Sequence, residues 1–299
     1  MIMPRRPAPL SFLTVALALA LGAAHAAAVP ARPSGPPAGQ DERLARTLEK
    51  AKAYCQRLER AALDFICTER IEEVAYRLPE FRMDETGRKI GFVEVELAPR
   101  RANTNTYVYD YQYVRKGNVK KEQRILIEEN GRKVKEDDAD LMTRTVRVEN
   151  ALFGPIGLLG VEWQPLHDYK VAGEETLEGK AVLVVQALPK QGLGDRERPH
   201  AYGRVWIREE DGAVVKIDWD QSSIGNFAQI RQEARRLEAE PQLVSLTEYG
   251  VAKGGLRFPS RDATEEAYLA RDGKRIVKSS TTIAYTDYKF FTVETEVGF

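Results

Sequence analysis

From Asp41 onward, apolar residues recur at Leu44, Leu48, Ala51, Cys55, Leu58 and Ala62. That spacing has a helical period and predicts an amphipathic helix from residue 41 to about 62. The period then falls towards two. Phe65, Cys67, Glu69 and Ile71 alternate with Ile66, Thr68 and Arg70, and β-branched residues become common, which predicts a strand running back. Beyond Leu78-Pro79 the chain reads mostly as alternating runs, over 90–97, 104–115, 123–129, 169–176, 181–188, 203–209, 214–220, 243–251, 263–270 and 275–285. Asn130-Gly131 follows the third of these runs, and Glu178-Gly179, Asp211-Gly212 and Asp272-Gly273 join later ones. Such dipeptides mark tight hairpins, so the strands form an antiparallel meander rather than βαβ units. A sheet of this many strands must curl or split, and the N-terminal helix offers it an apolar stripe to close on. Two minor helices are also expected. Residues 137–146 place Asp137, Asp138 and Asp140 in a first turn, where the helix dipole favours acids. Phe227, Ile230, Ala234 and Leu237 have helical spacing, with an irregular excursion before Pro241 as the alternative.

The first residues follow a different pattern. Arg5 and Arg6 precede an apolar run over 10–24, broken only by Ser11, Thr14 and Gly22, and Ala24-His25-Ala26 supplies small residues at a cleavage site. This is the layout of a secretory signal peptide, cleaved after about Ala26. The run is shorter than the ~20 apolar residues that span a bilayer, and no later segment approaches that length. Residues 27–40 contain Pro30, Pro33, Pro36 and Pro37 with Ser34, Gly35 and Gly39. They read as a disordered, proline-rich linker. The expected product is a soluble periplasmic protein with one domain over 41–299 and no integral membrane segment after cleavage. Its 45 Lys and Arg balance 45 Asp and Glu, which argues against nucleic acid as partner, because phosphate affinity rests on excess positive charge.

Export changes the reading of the two cysteines, Cys55 and Cys67. In an oxidising space an even pair suggests a disulfide. On one helix they would lie ~18 Å apart, against the ~5.5 Å between α-carbons that a bridge needs. A helix out and a strand back would bring them alongside, and closing that loop would stabilise by roughly 3 kcal/mol. The alternative is two free, buried thiols.

Catalytic chemistry is scarce. Beyond the leader the histidines are His167 and His200, and no G-x-S-x-G elbow surrounds any serine. There is no H-x-x-x-H, and the acids Asp137, Asp138 and Asp140 lack the glycine and distal glutamate of a calcium loop. Residues 173–180 miss a phosphate loop by glycine spacing and by Ala181 after the lysine, and they sit inside a hairpin. No catalytic, cofactor or metal residue is assigned, and no cofactor is expected; a hydrolase built around His167 or His200 is the enzymatic alternative. Two apolar features stand out instead. Tyr107, Tyr109, Tyr111 and Tyr113 alternate along one strand, as an amphipathic ligand lining or, more simply, as an ordinary outer face rich in a strand-favouring residue. In the apolar segment 151–161, Phe153, Ile156, Leu158 and Leu159 must be buried, either capping the core or lining the mouth of an apolar cavity.

Residues 202–207 (Tyr-Gly-Arg-Val-Trp-Ile), the acidic turn 209–212 and residues 214–217 (Val-Val-Lys-Ile) resemble the strand–turn–strand of periplasmic outer-membrane lipoprotein-sorting proteins, the lipoprotein carrier family. Residues 255–260 (Gly-Leu-Arg-Phe-Pro-Ser), 282–288 and 290–293 are similar to that family's closing strands. The resemblance implies an α+β fold: a strongly curved antiparallel sheet, an unclosed half-barrel, wrapped around the N-terminal helix. It further implies that the concave apolar face holds acyl chains without a cofactor. The present chain is longer, adds the cysteine pair and the tyrosine strand, and offers no evident counterpart of the family's lid-latching arginine. The expected function is non-catalytic binding or carriage of a lipid, a lipoprotein acyl chain or another apolar ligand. The alternative is an envelope scaffold or adaptor that binds another protein through its sheet edges.

Overall fold

A computed structural model describes residues 39–61, 65–76, 78, 81–83, 85–86, 89–92, 103–116, 119–141, 151–194 and 199–291. The expected leader, nearly all of the linker, the strand beyond Phe92 and the helical stretch 142–146 lie outside the described residues.

Helix α1 (Gln40–Ala61) starts with Asp41 and Glu42 and ends near Arg60, matching its dipole at both ends. It buries Ala51, Cys55 and Leu58 of the expected stripe together with Thr47 and Tyr54, while Leu44 and Leu48 are half-buried. Then follow β1 (Phe65–Ala75), a short hairpin of β2 (Phe81–Met83) and β3 (Lys89–Phe92), and the long β4 (Asn103–Lys116), β5 (Val119–Glu129) and β6 (Arg132–Asp137). A 3-10 turn (Ala151–Phe153) leads into α2 (Gly154–Leu159). Strands β7 (His167–Leu177), β8 (Lys180–Pro189), β9 (Gly203–Arg208) and β10 (Val214–Trp219) precede α3 (Phe227–Arg236). The chain closes with β11 (Ala239–Glu248), the small hairpin β12 (Val251–Lys253) and β13 (Leu256–Phe258), then β14 (Arg261–Ala270) and β15 (Arg275–Phe290).

Among the described residues eleven strands form one sheet in the order β6-β5-β4-β1-β15-β14-β11-β10-β9-β8-β7, paired antiparallel throughout. Among the described residues the two edge strands, β6 and β7, do not pair with each other, so the sheet is unclosed. This is the expected α+β half-barrel around an N-terminal helix. Local chemistry sets the hairpins: Asn130-Gly131 and Glu178-Gly179 both take positive φ at their two positions, as the tight turns that match strand twist require. Strand β1 lies between β4 and β15 and joins the early strands to the last one.

Alternate residues point into the curve, with the phase switched in β10 by a register shift between Val214 and Lys216. Leu183 and Val185 of β8, Val205 and Ile207 of β9, Val214 and Ile217 of β10, and Ile283 and Tyr285 of β15 share one core cluster with Ala51, Tyr54 and Leu58 of α1. Burying a large apolar side chain contributes roughly 1.5–3 kcal/mol, so this cluster is the main source of stability. Helix and sheet also meet at a tight point. Gly212, in the turn between β9 and β10, has φ +75, and a Cβ there would lie 2.3 Å from the Lys50 carbonyl carbon. Arg43 of α1 fastens that turn with bonds of 2.6 and 2.7 Å to Glu209. A smaller cluster packs α3, through Ile230, Ala234 and Leu237, on Leu243 and Tyr268.

Three expectations are corrected. Tyr107, Tyr109 and Tyr111 are buried in the main core, so the tyrosine strand shows its ring face inward, not outward. Asp137 ends strand β6 and Asp138 occupies the following turn, so no helix starts there: residues 132–137 complete the hairpin begun at Asn130-Gly131. Cys55 and Cys67 are free thiols, not a disulfide. The chain reverses between them as anticipated, but each sulfur has its own partner. Cys55 Sγ donates to the Pro155 carbonyl at 3.4 Å, and Cys67 bonds with the Tyr288 hydroxyl. Burial pushes both thiols up to about 12, which suppresses the reactive thiolate. Thiol titration without reductant should therefore find two reactive groups in unfolded protein and almost none in native protein; zero in unfolded protein would restore the bridge. The open choice over 227–237 resolves as helix α3.

Candidate functional site

The concave face of the half-barrel brings the sequence-predicted residues together. Tyr107, Tyr109 and Tyr111 of β4 and Leu158 and Leu159 of α2 belong to one buried cluster, with half-buried Phe153 and Ile156 packed against it. Tyr113 lies on β4 with its side chain outside the described set. Segment 151–159 thus caps the core.

The cap is short and held mainly through its carbonyls. Tyr249 Oη donates to the Ala151 carbonyl at 2.7 Å and Tyr169 Oη to that of Leu158 at 2.5 Å. Gln164 Nε2 bridges the Leu159 and Leu48 carbonyls at 2.9 and 2.8 Å, tying the cap to α1. Six helical residues with Pro155 in the first turn could not stand alone; these side-chain bonds and the apolar contact hold them in place. The chain emerges at exposed Val161 and Trp163.

Beside the apolar wall runs a band of buried polar groups that the hydrophobic pattern did not reveal. Glu69 is fully buried. Arg124 grips it with two bonds, Nε to Oε2 at 2.6 Å and Nη2 to Oε1 at 3.0 Å. The same guanidinium reaches Glu122 at 2.9 Å and lies 4.8 Å from the Tyr111 ring centre. Burial pushes the Glu69 carboxyl upward, and Arg124 pulls it back. Asp262, 1% exposed, accepts from Tyr285 Oη at 2.9 Å. Burial pushes its carboxyl up to about 7. Trp219 Nε1 donates to Thr247 Oγ1 at 2.9 Å, and Ser245 and Thr264 share a bond of 3.1 Å. These positions are neighbours in register across β10, β11, β14, β15, β1, β4 and β5, so the band crosses the sheet. The concave face is therefore amphipathic, not uniformly apolar as the resemblance implied. A signal for it existed: Glu69 shares the phase of Cys67 and Ile71, and Arg124 that of Leu126.

The catalytic candidates fare differently. His167 is 2% exposed, and its Nδ1 and Nε2 lie 2.9 Å from the carbonyl oxygens of Trp163 and Ala201. These contacts seat the imidazole between two backbone carbonyls at the entry to β7. His200 is exposed, as are Asp137, Asp138 and Asp140. Residues 173–180 form the turn region of the β7–β8 hairpin. Among the described residues no three His, Cys, Asp or Glu side chains gather as a metal site, and no helix is long and apolar enough to cross a membrane.

No family model and no curated protein matches the chain. Among solved structures it is similar to a LolA superfamily protein from Nitrosomonas europaea, at 13% identity over 84% of this chain and 94% of that one, with a TM-score of 0.34. It is also similar to a domain described as an outer membrane lipoprotein-sorting protein from Vibrio parahaemolyticus (10% identity, 83% and 95% covered, TM-score 0.35). A DUF1329 family protein from Desulfovibrio piger shows 10% identity, 85% and 95% coverage and a TM-score of 0.34.

Proposed function

We propose that this protein binds and carries an amphipathic lipid, or the acyl chain of a lipoprotein, in the concave face of its half-barrel, without catalysis and in an exported, periplasmic setting. One observation carries the reading. The tyrosine wall and the cap residues Leu158 and Leu159 converge in a single apolar cluster, beside a polar band suited to a head group and under a cover of one short helix. An acyl chain would enter as α2 lifts, replacing the apolar contacts of Phe153 and Ile156. Burial would favour it at roughly 25 cal/mol per Å² before ordering costs.

The cap supplies the test. Removing either tyrosine hydroxyl, by Tyr169→Phe or Tyr249→Phe, leaves a cap carbonyl without its donor at a cost of about 1–3 kcal/mol. Stopped-flow uptake of a fluorescent fatty acid should then accelerate about tenfold or more in the double variant, since 1.4 kcal/mol is a factor of ten. Unchanged uptake, or no uptake by any form of the protein, would count against the reading.

A second reading rests on the unpaired edges. Strand β7 offers eleven residues at an open edge, and an extended segment of another envelope protein could add to it. Stoichiometric co-purification of a protein with lipid-free material would favour that scaffold role.

A further inference from the structure

A cavity of about 540 Å³ lies between α3 and strands β14 and β15, within the range of roughly 300–1,000 Å³ typical of small-molecule sites. Its lining is polar, apart from Ile230, which roots α3 in the small core. On the sheet side stands Glu266, 1% exposed. Among the described residues Tyr268 Oη and Lys278 Nζ donate to its Oε1, the second at 2.9 Å. On the helix side Arg236 Nη2 bonds Glu233 Oε1 at 2.8 Å. Two carboxylates and two cations therefore share one cavity, with the carboxamides of Gln229 and Gln232 among them.

Charge balance selects the ligand. A lone anion would compete with Glu266 and Glu233, and a lone cation would meet Lys278 and Arg236; either leaves a like-charged neighbour uncompensated. A molecule carrying both charges pairs with both sets at no net cost in charge. We propose that this cavity binds a small zwitterion, its ammonium on Glu266 and its carboxylate or phosphate on Lys278 and Arg236. Two sources share that chemistry: a free amino acid or short peptide, and the phosphoethanolamine head of a lipid.

Calorimetric titration of the full chain tests this with four probes: dialanine, glycerophosphoethanolamine, ethanolamine and inorganic phosphate. At least one zwitterion should bind at least tenfold more tightly than both single-charge probes. Dialanine alone would assign the peptide source, and glycerophosphoethanolamine alone the head group. Glu266→Gln should abolish the preference for an ammonium. Arg236, whose side chain is 62% exposed, can be changed without touching the core, so Arg236→Gln should weaken zwitterion binding at least fivefold at unchanged Tm even if the first variant folds poorly. Equal affinity for single-charge probes, no zwitterion binding, or indifference to Arg236→Gln would overturn the proposal. None of the probes has an acyl chain, so this result is separate from the fate of the carrier reading.

Discussion

Arg124→Ala should lower the free energy of unfolding by about 3–5 kcal/mol, because it leaves the carboxylate of Glu69 buried with no compensating charge. The geometry explains the size. Glu69 is 0% exposed and receives two bonds from one guanidinium, which also serves Glu122 and covers the Tyr111 ring. The loss is a penalty for breaking the pair and not a measure of its net worth. Replacing both partners with apolar residues, Glu69→Leu with Arg124→Met, should recover most of the deficit, since an ion pair of this kind gains little over well-packed hydrophobic side chains. Urea unfolding of the single and double variants checks both statements. A double variant no more stable than Arg124→Ala would show that the pair contributes more than its desolvation costs.

The second large effect is one of pH. Asp262 ionises near 7 in the folded protein, against an ordinary aspartate value of about 3.9 in the unfolded chain. Between those values the folded state holds a proton that the unfolded state has released. The contribution of this carboxyl is therefore complete below about pH 4 and is lost as pH rises through 7. The loss amounts to about 4 kcal/mol. Asp262→Asn keeps an acceptor for Tyr285 and cannot ionise. Its stability relative to the parent protein should improve steadily from pH 4 to pH 8 by roughly that amount. Parallel stability curves for the two proteins over this range would show that Asp262 is not held neutral by its surroundings. The upward push on Glu69 has the same sign, so part of the slope should persist in the variant.

Local features of the chain were readable because they obey short-range rules. The stripe from Leu44 to Leu58 gave α1 and its buried face, and Asn130-Gly131 and Glu178-Gly179 gave hairpins whose φ angles agree. The position of β1 was not readable, because its pairing with β15 joins strands more than two hundred positions apart in the chain and no local signal encodes such a register. The tyrosine strand marks the limit of periodicity: alternation places four rings on one face without saying which face is wet. The curve of the sheet decided it. The same limit hid the polar band. Glu69 stood in phase with core residues, but its partner Arg124 is 55 positions away, and a charge read in isolation at an inward position gives no hint of what neutralises it. The thiols show a third kind of gap. Chain reversal was sound, yet sulfur contact depends on rotations that spacing does not fix, and Pro155 and Tyr288 took the two sulfurs instead.

Segment 151–159 needed least correction, since four large apolar side chains in a short run must be covered by something. Covering the core and covering a ligand are compatible roles for it, and they separate in one measurement. Protein purified from its native envelope without detergent exchange, extracted with organic solvent and analysed by mass spectrometry, should release about one acyl-bearing lipid per chain. Material that yields no lipid, and that also rejects a fluorescent fatty acid at micromolar concentration, would contradict carriage in the concave face.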